Sequence, residues 1–134
     1  MQELKLIDEE NMPSWFEYPK DFIRTVNLGL LEFDVWSILD SQMLHKKYIG
    51  LKKRYPDRDL IPFAERREND DCACWERGKG DKVVIIHDYA SPGYESREEY
   101  ESFWDWLRVV IEEMIEFDYD DEDGEIGDDW LTKK

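Results

Sequence analysis

The chain has 134 residues, 41% of them apolar, with six Trp, seven Tyr and six Phe, enough to build the core of one domain. A formal net charge of −16 argues against nucleic-acid binding, because phosphate repels carboxylate over the whole approach, and favours a basic partner instead. The alternative is that the acids only keep the protein soluble and monomeric.

The charge is unevenly placed. From Glu112 to Lys134 eleven acids face two lysines, a net of −9. From His45 to Arg58 six basic residues face only Asp57, a net of +5. No run of about 18 apolar residues suggests a membrane span, and Met1–Lys5 lacks the pattern of a signal peptide. The two cysteines, Cys72 and Cys74, are too close for an unstrained disulfide and suit the cytoplasm.

In chain order, a first helix is predicted from Tyr18 to Leu28, with Pro19 at N1, an apolar stripe of Phe22, Ile23 and Val26, and Gly29 as terminator. Part of Leu30–Leu39 reads as strand, because Asp34 breaks any long helix. Asp40 or Ser41 can cap a second helix ending before Pro56. Its apolar face is Leu44, Tyr48, Leu51 and Tyr55, which leaves its basic residues on the solvent side. Three strands follow at Leu60–Ala64, Cys72–Glu76 and Lys82–His87, the last two joined by a turn at Arg77–Asp81. Val83–Ile86 is apolar at every position, so this strand should be central and covered on both faces.

Ser91-Pro92-Gly93 fits a type II turn, and Ser96-Arg97-Glu98-Glu99 matches a capping box opening a last helix. That helix is expected to bury Phe103, Leu107, Val110, Ile111, Met114 and Ile115. After Phe117 the sequence is too charged to order itself, so residues 1–117 are expected to form one domain and 118–134 an acidic tail, with Trp130 and Leu131 near its end available to dock.

Searches for chemistry fail on specific grounds. A calcium loop with Gly124 or Gly127 at its sixth position puts Tyr119 and Trp130, or Gly124, where oxygen ligands belong. Cys72, Cys74 and His87 are three possible zinc ligands without the usual CxxC turns. His87, Asp88 and Ser91 have the residue types of a hydrolytic triad but no nucleophile elbow. No catalytic residue, metal or cofactor is assigned.

The stretches Tyr18-Pro19-Lys20-Asp21-Phe22-Ile23, Asn27-Leu28-Gly29, Leu60-Ile61-Pro62-Phe63-Ala64, Asn69–Trp75, Val83–Asp88 and Tyr100–Leu107 resemble, in order and spacing, the SUKH superfamily of a yeast cell-wall assembly regulator and bacterial immunity proteins. Leu28 interrupts the family's Asn-Gly-Gly, and Glu68–Asp71 lacks the glycines of its turn. The resemblance implies an α+β fold with a mainly antiparallel sheet packed by N- and C-terminal helices. It also implies no enzymatic activity and neutralisation of a toxin by direct binding.

The leading expectation is thus a cytoplasmic immunity-type protein, monomer or weak homodimer, that binds a basic protein such as a nuclease toxin and neither nucleic acid nor membrane. Candidate contacts are Glu65, Glu68, Asp70 and Asp71 on one loop and Asp88, Tyr89 and Tyr94 on another. Trp104 is either a further aromatic anchor or core. The second expectation is a small-ligand domain or enzyme with a pocket near Cys72, Cys74, His87 and Tyr89.

Overall fold

The computed structural model describes residues 13–120, with side chains through residue 116. The elements are α1 (Lys20–Asn27), β1 (Glu32–Phe33), β2 (Trp36–Ile38), α2 (Ser41–Arg54), β3 (Leu60–Arg66), β4 (Asp71–Glu76), β5 (Val83–His87), β6 (Ser96–Tyr100) and α3 (Phe103–Asp120). The six strands form one antiparallel meander in the order β1-β2-β3-β4-β5-β6. This is the expected α+β class. No helix among the described residues is long and apolar enough to cross a membrane.

Strand alternation divides the core in two. Val83 and Ile85 point to one face, with Ile61, Phe63, Ala73 and Trp75, and meet Phe22 of α1 and Phe103, Trp106, Leu107 and Val110 of α3. Val84 and Ile86 point to the other, with Leu60, Cys72 and Cys74, and meet Leu51 of α2 and Tyr55 just after it. The uninterrupted apolar run of β5 thus reflects a strand covered on both sides.

The first cluster is held by aromatic geometry. Phe63 stacks on Trp75 with centroids 4.2 Å apart and meets Trp106 edge-to-face at 4.9 Å. The indole N–H groups of Trp75 and Trp106 have no hydrogen-bond partner among the described residues. Each orphan costs about 1–3 kcal/mol, which the packing of two large rings must offset.

Several local expectations change. Pro19 caps α1 from outside, in an extended conformation, and does not occupy its first turn. Leu30–Leu39 is a hairpin, with Asp34 in the left-handed region at φ 71°. Ser96–Glu99 is an edge strand, not a capping box; its exposed charged side chains protect an edge that would otherwise invite pairing. The cap of α3 is Ser102, whose Oγ accepts the Asp105 N–H at 3.2 Å.

Within α3, Ile111 and Ile115 are exposed, and Trp106 takes the place expected of them in the core. The helix backbone runs to Asp120, three residues past the expected boundary at Phe117. Gly124, Gly127, Trp130 and Leu131 lie outside the described residues.

The packing makes Phe63→Ala costly, by about 3–5 kcal/mol. Trp104→Ala, at an exposed ring, should cost under about 1 kcal/mol. Urea denaturation of the two variants measures both, and similar losses would contradict this division of the aromatics.

Candidate partner-binding surface

At the end of β5 the apolar run gives way to His87-Asp88-Tyr89, and Asp88 turns inward with no exposure to solvent. The Arg54 Nε donates to its Oδ1 at 2.6 Å and Nη2 to Oδ2 at 2.7 Å, while Lys47 Nζ donates to Oδ2 at 2.9 Å. The Tyr89 N–H adds a fourth bond at 2.9 Å. Lys47 and Arg54 stand two turns apart on α2, so one carboxylate reaches both.

Gly50 makes room for this arrangement. A Cβ there would lie 2.5 Å from the Arg54 Nη2, so any side chain would displace the guanidinium. The Asp88 N–H donates to the Asp70 carbonyl at 2.9 Å, which ties in the β3–β4 loop. Tyr55 donates its hydroxyl to the Ala90 carbonyl at 2.7 Å. The solvent-side reading of the basic helix therefore fails for Lys47 and Arg54.

Burial alone would push the Asp88 carboxyl up; the hydrogen bonds from Arg54 and Lys47 outweigh it and hold the group below the usual carboxylate range. For Lys47, burial opposes the charge, but the bond to Asp88 leaves the ammonium raised. Glu95 repeats the pattern. Burial raises it, and bonds from Arg58 (2.8 Å) and the Gly93 N–H (2.6 Å) bring it below its ordinary value.

The predicted site residues do not gather into one surface. Asp88 is buried and ion-paired, so it offers no free charge to a partner. Tyr89 is exposed, in the left-handed region at φ 70°, with its ring centroid 4.1 Å from the Arg54 guanidinium carbon. Half-buried Glu65 shares the α2 side with it. Asp71 pairs in register with His87, and its Oδ1 lies 2.7 Å from the His87 Nδ1, on the α3 side. Glu68 and Asp70 lie exposed on the β3–β4 loop, Tyr94 is exposed on the β5–β6 loop, and Trp104 is partly exposed on α3.

Cys72, Cys74 and His87 do not form a pocket either. The two thiols, with sulfurs 3.8 Å apart, are fully buried on the α2 side. Burial pushes the Cys74 thiol well up, which keeps it neutral and a poor ligand or nucleophile. His87 is adjacent in register to Ile86 and faces the opposite way. No cluster of three or more His, Cys, Asp or Glu suited to a metal occurs among the described residues.

Two residues that periodicity assigns to the core, Ile111 and Ile115, join Trp104 in an exposed surface on α3. Trp104, Ile111 and Ile115 are 37%, 37% and 57% exposed and fall within about 40° of one another around the helix. Asp105, Glu112 and Glu116 form the neighbouring band, about 100° further round. Arg108 pairs with Asp105 at 3.1 Å, leaving Glu112 and Glu116 without an ion-pair partner among the described residues. Their spacing was visible, but periodicity does not separate the flank of an apolar stripe from its centre.

No family model, no curated protein and no solved structure matches the chain.

The Asp88 cluster has a defined pH window. Its lowered carboxyl contributes stability that is complete above the unfolded value, about 3.9, and is lost as pH falls through the folded value. Its raised ammonium contributes stability that is complete below about 10.4 and is lost as pH rises through the folded value. Asp88→Asn should cost about 3 kcal/mol at neutral pH and reduce the acid limb of stability, leaving the parts due to Glu95, Asp59 and Glu99, whose carboxyls are also lowered. Thermal unfolding across the pH range checks this; an unchanged acid limb in the variant would contradict it.

Proposed function

We propose that the chain is a non-enzymatic protein-binding domain of the immunity type, which neutralises a basic toxin domain by holding it against the outer face of α3. The observation that carries the reading is the exposed stripe of Trp104, Ile111 and Ile115 beside the carboxylates of Glu112 and Glu116. Aromatic and aliphatic groups exposed together on a rigid helix are what a buried interface centre requires. Unpaired carboxylates at its rim favour a cationic partner and speed its approach. The order and spacing of the motifs shared with the SUKH superfamily support the immunity role and a cytoplasmic site of action.

A basic toxin domain is expected to be encoded beside the gene, and the test is binding to that domain once purified. Trp104→Ala or Ile111→Asp should weaken the complex by about 30-fold or more, as loss of an interface anchor does. Glu112→Lys with Glu116→Lys should act mainly on the association rate. Affinity that survives all four changes, or no binding to that domain, would overturn the proposal.

A further inference from the structure

We infer that the groove along α2, on the opposite face of the sheet, is a second binding site that takes an extended acidic segment of a partner protein. The groove has a volume of about 500 Å³, and its walls include Met43, His45, Lys46, Ile49, Lys53 and Tyr89. Four cations, Lys46, Lys47, Lys53 and Arg54, line it with one carboxylate, Glu65, and the buried Asp88 stands behind two of them. Lys47 and Arg54 are held on Asp88, and Glu65 lies on the wall beside them. Lys46 and Lys53 are exposed and have no ion-pair partner among the described residues. The groove therefore carries a local positive excess in a chain of net charge −16. Screening over about 8 Å at physiological salt lets that local sign govern contact.

The shape selects an extended peptide over a compact anion. Lys46 and Lys53 are two helical turns apart, about 10 Å along α2. In a polyproline-II segment, side chains three residues apart point the same way and lie about 9 Å from each other. Carboxylates at that spacing meet both ammonium groups.

Ile49, between the two lysines, and Met43, about one turn before Lys46, are 44% and 54% exposed and offer apolar contact. Tyr89 adds a ring that is 64% exposed and backed by the Arg54 guanidinium. A non-glycine residue with positive φ in this place is a local cost that the surrounding bonds sustain. It turns the ring outward along the groove.

The experiment is fluorescence anisotropy of a labelled peptide, Ala-Glu-Leu-Ala-Glu-Leu-Ala, titrated with the full chain. A second peptide carries Gln in place of both Glu. The acidic peptide should bind with a dissociation constant below about 1 mM. Affinity should fall about ten-fold or more with the Gln peptide, and equally in Lys46→Ala/Lys53→Ala, which removes only exposed side chains. Trp104→Ala should leave it unchanged, which separates this site from the α3 face. Equal binding of the two peptides, binding that survives loss of both lysines, or no binding would overturn the inference. Binding that appears only after deletion of residues 121–134 would also overturn it, because the chain's own acidic stretch is then the occupant.

Discussion

The Asp88 carboxylate is the group that ties α2, the end of β5 and the β3–β4 loop together. Taking it out of water costs several kcal/mol, and the structure offsets that with two bonds from Arg54, one from Lys47 and one from the Tyr89 N–H. Those bonds join segments distant in sequence: α2, the end of β5 and, through Asp70, the β3–β4 loop. Loss of one partner leaves a buried charge without compensation, so the cluster persists as a unit or fails as one.

The two faces of the sheet are held in different ways. On the α2 side the buried core is small, comprising Leu51, Tyr55, Leu60, two cysteines, Val84 and Ile86. There the ion cluster does part of the work that apolar area does elsewhere, and it holds Lys47, Arg54 and Tyr89 along a groove. On the α3 side a dense aromatic cluster fixes the helix and needs no such clamp. Its rigid outer face is free to carry Trp104, Ile111 and Ile115 with their carboxylate border. A domain of strongly acidic composition thus presents opposite local charge on its two faces.

Much of this fold is legible in the sequence, for physical reasons that differ by element. The apolar run at Val83–Ile86 implies a strand buried on both sides, because four consecutive β-branched residues bounded by turn signals favour a short strand over a buried helix. The four-three-four spacing of Leu44, Tyr48, Leu51 and Tyr55 places α2. The failures share a cause. Ser96–Glu99 satisfies a helix-start pattern, yet pairing with β5 overrides that local preference. Lys47 and Arg54 look solvated because their partner lies 41 and 34 residues downstream, beyond any local pattern. Asp88, for the same reason, looks like a surface acid. Ile111 and Ile115 look like core because periodicity gives direction around a helix but not the width of the face its neighbours cover.

The most direct test of this account is a double-mutant cycle between Arg54→Met and Asp88→Asn, read by urea denaturation at neutral pH. If the buried carboxylate and the guanidinium act as one unit, their coupling energy should be about 2–3 kcal/mol, at the upper end for contacting residues. A coupling below about 0.5 kcal/mol, the level of independent sites, would contradict it.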